Sequence, residues 1–240
     1  MTTAYEAVTA ALEWLTRQFT ITFITGNRYK LFLTGLRNTL IIAFGAVIIG
    51  TFIGAVVAMI RVYSAQSGKL RALDKLCGAY LAVFRGTPIV VQLLIMYYIV
   101  FSFIDNGISI AVLAFGINSG AYVAEIVRAG ILAVDIGQTE AGRSLGLSSG
   151  KTMRLIVLPQ AIKNILPALG NELIALLKDT SVAGYVTVKD LAQAGENVRT
   201  LTAEPYFSLL FVAAVYFLLV MCITKILRIA ERRLAKSDRH

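Results

Sequence analysis

The chain has 240 residues, of which 57% are hydrophobic and only 15% are charged, and its mean hydropathy is +0.73. These values exceed those of water-soluble domains and place the chain in a lipid bilayer. The formal net charge of +9 does not indicate a nucleic-acid partner, because the basic residues cluster beside apolar stretches, where membrane topology explains them.

The residue types exclude several kinds of protein. Cys77 and Cys222 lie far apart and form no CxxC pair, so neither a disulfide framework nor a zinc site is indicated. The one histidine is His240, which removes the usual routes to histidine-based catalysis and metal binding. No nucleophile with a neighbouring base and no pair of catalytic carboxylates stands out. We therefore predict that the chain is not an enzyme, binds no metal and holds no cofactor of its own.

The apolar stretches are long and continuous, which favours transmembrane helices. We predict an all-α integral membrane protein with a transmembrane domain at residues 34–229. Its five transmembrane helices are expected at residues 36–60, 89–103, 108–131, 162–184 and 207–229. Gly45, Gly50 and Gly54 in the first of them would allow a neighbouring helix to approach closely.

Two flanking segments complete the expected organisation. Residues 1–33 are an N-terminal amphipathic or interfacial segment, in which Val8, Ala11, Leu12 and Leu15 recur at helical spacing. A helix on the membrane surface and a disordered segment both remain open for residues 1–30. Residues 230–240 form a basic tail.

Lysine and arginine concentrate in residues 61–85, 128–154 and 225–240. Positive charge in short loops marks the cytoplasmic side of a membrane. With five spans, this predicts a multi-pass protein of a prokaryotic cell membrane with its N-terminus outside and its C-terminus in the cytoplasm. Residues 137–161 then lie on the cytoplasmic face.

Residues 137–161 are the longest polar interruption between strongly apolar stretches, and they carry a specific pattern. They resemble the EAA loop of ABC importer permeases, whose pattern is Glu-Ala-Ala, three residues, Gly, nine residues and Ile-x-Leu-Pro. The matching residues are Glu140, Ala141, Gly142, Gly146, Ile156, Leu158 and Pro159. Gly142 stands where the pattern has its second alanine, a small-for-small change that would loosen a helix slightly. We expect a short coupling helix at residues 139–147, ended by Gly146.

Other motifs are similar to the polar amino acid uptake branch of these permeases. They are Arg85-Gly86-Thr87-Pro88, the run from Ala121 to Arg128, and Lys178-Asp179-Thr180. The resemblance covers about residues 34–229 and implies a type I importer permease. It also implies ATP-binding subunits at the cytoplasmic face, a second permease subunit in a homodimer or heterodimer, and an extracytoplasmic amino-acid-binding protein. Membrane lipid surrounds such a subunit, and nucleic acid has no part in it.

The stretch from Gly146 to Thr152 resembles a phosphate-binding P-loop only superficially. That motif needs four residues between its glycines, whereas Gly146 and Gly150 enclose three. We therefore expect ATP and Mg²⁺ to be used by a separate partner ATPase.

The substrate-binding candidates are polar residues within the predicted spans. Glu172 is the most informative, because an ionisable group inside a membrane is costly unless it faces a partner or a watery cavity. Helical spacing places Asp179 on its stripe, and Asn171, Asn118 and Tyr122 complete the candidate set. The acidic stripe favours a cationic amino acid, but every amino acid carries an ammonium group, so the substrate stays open.

Two alternatives to a substrate role remain. Glu172 would instead hold the helix bundle together through an interhelical bond, and Glu125 with Arg128, three residues apart, is expected to be a structural ion pair. A rival function is an ion-coupled secondary transporter of small zwitterions, with Glu172 or Glu125 as the ion site. Such transporters usually contain an internal repeat, which this sequence does not display.

Overall fold

The computed structural model of the chain describes residues 2–236 and consists of helices and turns throughout that range. The predicted all-α fold is confirmed. Met1 and residues 237–240, which include His240 and the end of the predicted basic tail, lie outside the described residues.

The first half of the chain forms five helices. They are α1 (Thr2–Phe19), α2 (Tyr29–Ser67), α3 (Arg71–Gly86), α4 (Ile89–Ile95) and α5 (Gly107–Leu132). A π-helical turn at Thr20–Ile24 and a 3-10 turn at Thr25–Asn27 link α1 to α2, and another π-helical turn at Met96–Val100 extends α4. α1 therefore makes residues 2–19 helical.

The second half also forms five helices. They are α6 (Ile136–Ser144), α7 (Ser149–Thr152), α8 (Leu158–Asp179), α9 (Leu191–Thr202) and α10 (Pro205–Lys236). A π-helical turn at Met153–Val157 joins α7 to α8 without a break, and a 3-10 turn at Thr180–Val186 follows α8.

Three described helices are long and apolar enough to cross a membrane. They are Tyr29–Ser67, Gly107–Leu132 and Tyr206–Arg232, which cover the predicted first, third and fifth spans. α8 contains most of the predicted fourth span, yet it is not among them, because charged and amide side chains interrupt its apolar residues. The count of five spans therefore stays a prediction.

The predicted second span, residues 89–103, is a short helical segment at Ile89–Val100 that follows a sharp bend. α3 and the α4 segment meet at an angle of 111°, and together they form either a broken span or a re-entrant loop. The break follows from Pro88, since proline has no backbone N–H and forces the residue before it out of the helical region. Thr87 is accordingly extended, with φ −123° and ψ 150°.

The most extensive contact between two helices in the bundle is between α2 and α5. A Cβ on Gly50 would lie 2.7 Å from the Ser119 hydroxyl oxygen, and a Cβ on Gly54 would lie 2.6 Å from Val123. The glycines of α2 thus let the two backbones approach as closely as the sequence predicted. Gly116 and Gly120 of α5 in turn leave room for Ile49 and Ile53 of α2.

α9 is a helix that the sequence reading missed. Leu191, Ala194 and Val198 lie buried along one face of it, at helical spacing. The Asp190 carboxylate caps its N-terminus, accepting hydrogen bonds from the backbone N–H groups of Ala192 (3.1 Å) and Gln193 (2.9 Å). Burial raises the pKa of the Asp190 carboxyl above its ordinary value, although these hydrogen bonds act in the opposite direction.

The close approach of α2 to α5 can be tested with two matched glycines. We expect Gly54→Ala to destabilise the detergent-solubilised protein by about 1–3 kcal/mol, because the new methyl group would overlap Val123. Gly78→Ala in α3 meets nothing within 4 Å and should be neutral or stabilise by about 0.5–1 kcal/mol. Thermal unfolding of both variants measures the difference, and equal melting temperatures would contradict the packing account.

Candidate coupling segment and substrate site

α6 is a short helix with a defined start and end. The Asp135 side chain accepts a hydrogen bond from the backbone N–H of Gly137 at 2.7 Å and so begins the helix earlier than the predicted residue 139. At the other end Gly146 adopts φ +82°, a left-handed conformation that favours glycine. The Leu147 N–H donates to the Gly142 carbonyl (3.1 Å), which closes a Schellman cap. The predicted termination at Gly146 is therefore found.

The outward face of α6 is open. Glu140, Ala141 and Gly146 are exposed, and Ile136 and Leu145 present 74% and 81% of their surface. Large apolar side chains left this free on a short helix are typical of a surface that contacts another protein.

The inward face of α6 packs through Gly142. A Cβ there would lie 2.7 Å from the Thr152 methyl carbon and 2.8 Å from the Ile156 Cδ1. The departure from the Glu-Ala-Ala pattern thus has a packing reason that the sequence reading lacked: it lets α6 lie tightly on α7 and the π-helical turn. The Gln160 amide adds a hydrogen bond to Gln138 Oε1 at 3.3 Å.

A continuous helical segment connects α6 to the membrane domain. It runs from Ser149 through the π-helical turn and α8 to Asp179. Leu158 and Pro159 are exposed at the start of α8, directly after the π-helical turn. Since α6 packs against one end of this segment and Glu172 lies toward the other, the two predicted sites share one helical element, which contains Pro167 between them.

Glu172 is positioned by a residue that the sequence reading did not select. The Ser119 hydroxyl of α5 donates to Glu172 Oε1 at 2.7 Å, and Ser119 itself is fully buried. Ser119 is also the residue that a Cβ on Gly50 would strike. Ser119 lies three residues after Gly116 and four before Val123, so it shares the face of α5 that packs on α2. This spacing is the sequence signal that could have identified it.

The remaining α8 candidates lie on its accessible side. Asn171 and Asp179 are both exposed, and Glu172 is partly exposed between them. Exposed amide and carboxylate groups are costly against lipid, so this stripe is suited to a partner helix or a watery path.

Asn118 and Tyr122 are not brought to Glu172. The Asn118 amide donates to the Phe84 carbonyl (3.1 Å) and to Gln92 Oε1 (2.8 Å), at the break between α3 and α4. The Arg85 guanidinium lies over the Tyr122 ring, 5.6 Å from its centre.

The same amide pair fixes the sharp bend between α3 and α4. The Gln92 amide nitrogen lies 3.0 Å from both the Phe84 and the Thr87 carbonyl oxygens and 2.8 Å from the Thr87 hydroxyl. Hydrogen bonds across the break satisfy backbone groups that the helix no longer pairs. Asn118 and Gln92 therefore hold the bend.

Glu125 belongs to a larger charge network than the predicted pair. Arg128 donates to Glu125 Oε2 at 3.0 and 2.7 Å, Arg61 donates to Glu125 Oε1 at 3.1 Å, and Arg61 also donates to Asp74 at 3.3 Å. The network joins α2, α3 and α5. A carboxylate held between two arginines is poorly placed to exchange a proton or a sodium ion, which disfavours Glu125 as a coupling-ion site.

The arrangement is an apolar helix bundle with an open polar stripe and an exposed helix packed on its end. Residues 62–236 match the family described as "Binding-protein-dependent transport system inner membrane component". The chain belongs to this family and is a transport subunit.

Individual relatives transport amino acids according to their names. A protein of Rickettsia bellii (strain RML369-C) named as the permease of a glutamine transport system, GlnP, is 41% identical over 195 residues, which cover 80% of this chain and 87% of the relative. The arginine transport system permease protein ArtQ of Bacillus subtilis (strain 168) is 37% identical over 209 residues, covering 86% and 93%. The crystal structure of an amino acid ABC transporter with histidines matches with a TM-score of 0.80 and 39% identity, covering 88% of this chain and 98% of that chain.

Proposed function

We propose that this chain is the permease subunit of an ATP-driven importer of polar amino acids. The observation that carries the proposal is the tight packing of the exposed α6, through Gly142, on Thr152 of the continuous helical segment that holds Glu172. An exposed helix that is locked to a polar membrane helix transmits force.

Three kinds of partner follow from this role. ATP-binding subunits that use ATP and Mg²⁺ contact α6 at the cytoplasmic face, an extracytoplasmic binding protein delivers the amino acid, and a second permease subunit covers the polar stripe of α8. In this orientation the N-terminus lies outside and the C-terminus lies in the cytoplasm, with the basic residues of α10 on the inner side.

The proposed cycle uses the geometry directly. Closure of the two ATPases moves α6 through Glu140, Leu145 and the other outward residues. Because α6 packs tightly on the start of the α8 segment, α8 moves with it and switches access to the Glu172 stripe between the two faces. Glu172 and Asp179 would attract the substrate ammonium group, while the Asn171 amide would accept a hydrogen bond from the ammonium group or donate one to the carboxylate.

The coupling role of α6 is tested by reconstituting the chain with its ATPase in proteoliposomes. We expect Gly146→Ala to lower the amount of amino acid taken up per ATP about five-fold, since a left-handed alanine costs on the order of 1 kcal/mol and shifts the end of α6. Gly150→Ala is the matched control, because its Cβ meets nothing within 4 Å and its φ is not positive. Unchanged coupling in both Gly146→Ala and Glu140→Ala would remove α6 from the mechanism.

The substrate role of Glu172 is tested with an isosteric change. Glu172→Gln keeps an acceptor for the Ser119 hydroxyl but removes the charge, so the complex should assemble normally and lose uptake about ten-fold or more. Glu196→Gln, in an exposed ion pair with Arg199 on α9, should leave uptake unchanged. Uptake by Glu172→Gln at the normal rate and half-saturating concentration would return Glu172 to a purely structural role. Uptake driven by an ion gradient without ATP would instead favour a secondary transporter.

A further inference from the structure

A cavity lies at the opposite end of the bundle from α6. α5 runs between the two, since the cavity borders its first residues and α6 follows its last. The cavity has a volume of about 540 Å³ and is lined by Asn38, Tyr97 and residues 105–108 and 186–189. This volume falls in the usual range for small-molecule sites.

Two charges of opposite sign border this cavity from separate segments. Asp105 immediately precedes the N-terminal cap of α5, and Lys189 lies in the turn before α9. Both side chains are exposed, and neither takes part in any ion pair among the described residues. Unpaired opposite charges beside one cavity suit a ligand that carries both charges.

The backbone around the cavity is held firmly in place. The Asn38 amide, which is only 8% exposed, donates to the Lys189 carbonyl at 2.8 Å, and the Thr39 hydroxyl accepts from the Leu191 N–H at 3.1 Å. Asp190 caps α9 and accepts a further bond from the Tyr216 hydroxyl at 3.3 Å. A turn anchored at this many points holds the Lys189 backbone in place, so that only its side chain has to be ordered when a ligand binds.

The other side of the cavity is anchored as well. Asn106 caps α5 by accepting hydrogen bonds from the N–H groups of Ile108 (3.0 Å) and Ser109 (3.2 Å). A Cβ on Gly107 would come within 3.2 Å of Val188 and 3.4 Å of the Tyr97 ring, so the α5 start and the α9 turn are in close contact. Asp105 and Lys189 are therefore carried on two segments with a fixed relation.

We propose that this cavity is a second binding site for an amino acid zwitterion, with Lys189 receiving the carboxylate and Asp105 the ammonium group. The proposal rests on the proposed function, which places this end of the bundle outside the cell. The site would hold the amino acid on its way from the binding protein to the Glu172 stripe. Because its charged groups address only the α-carboxylate and α-ammonium, it would accept amino acids with different side chains.

Protection of an engineered cysteine from modification tests the site locally. Thr187→Cys borders the cavity, whereas Ala203→Cys is a matched control on the turn between α9 and α10, since both positions are exposed and left-handed (φ 61° and 54°). The exposed Cys222 is first changed to serine, and the buried Cys77 is kept. The full complex with its ATPase, in nanodiscs and without the binding protein, is treated with a charged thiol reagent. L-arginine, L-glutamine or agmatine, which lacks a carboxylate, is added before the reagent and stays present during modification.

The expected result is slower modification of Thr187→Cys with arginine and with glutamine, no slowing with agmatine, and no change at Ala203→Cys. Asp105→Asn and Lys189→Gln should each raise the half-protecting concentration about ten-fold, as expected when one charge-assisted hydrogen bond is lost. Glu172→Gln should leave protection intact, which separates this site from the proposed α8 site.

Several results would overturn the proposal. These are no protection at millimolar amino acid, equal protection at Ala203→Cys, or protection that appears only with the binding protein, which would make the cavity a docking surface. Coupled uptake with no protection at Thr187→Cys would contradict the second binding site and leave the proposed function standing. Unchanged coupling in both Gly146→Ala and Glu140→Ala would instead count against the proposed function.

Discussion

The close packing of α2 on α5 is the constraint on which the rest of the structure depends. In a bilayer, helices gain little by burying apolar surface and associate through small residues that let backbones meet. Gly50 and Gly54 provide this contact, and it places Ser119 in a fully buried position against α2. Ser119 then fixes Glu172 through one hydrogen bond, so the polar residue of α8 is located by the packing of two other helices.

Tight packing also bears on how movement would be transmitted to Glu172. α8 contacts α5 closely at Gly130, where a Cβ would lie 2.4 Å from Ile165, and contacts α10 at Gly170, where a Cβ would lie 2.3 Å from Leu227. Tight contacts of this kind resist gradual deformation, so α8 is expected to move between discrete arrangements together with α6. The charge network of Arg61, Glu125 and Arg128 ties α2 to α5 beside this moving element.

Much of this architecture could be predicted from local sequence. Apolar length identified α2, α5 and α10, and the left-handed Gly146 marked the end of α6. The position of the bend between α3 and α4 follows from Pro88 in the sequence. Its angle does not, because the angle is fixed by Gln92 and Asn118, which the fold brings together.

Some residues of the candidate sites could likewise be predicted from the sequence, and others could not. The proposed coupling residues form one contiguous segment, so a spacing pattern was sufficient to select them as candidates. The partner of Glu172 and the structural use of Asn118 depend on which faces of α5 meet α2, α3 and α8, and adjacent residues point to different neighbours. Lys189 and Asp105 are far apart in sequence and come to one cavity only through the fold.

The central claim is that α6 and α8 move as one body. The most direct test uses electron spin resonance distances in two preparations: one complex with a single copy labelled at Ser144 of α6 and Ile162 of α8, both exposed, and one complex with both copies labelled at Ser144 alone. The account predicts that ATP binding leaves the distance between Ser144 and Ile162 unchanged, while the distance between the Ser144 labels of two copies shortens. A change in the distance between Ser144 and Ile162, with the two Ser144 labels staying at a fixed separation, would contradict it.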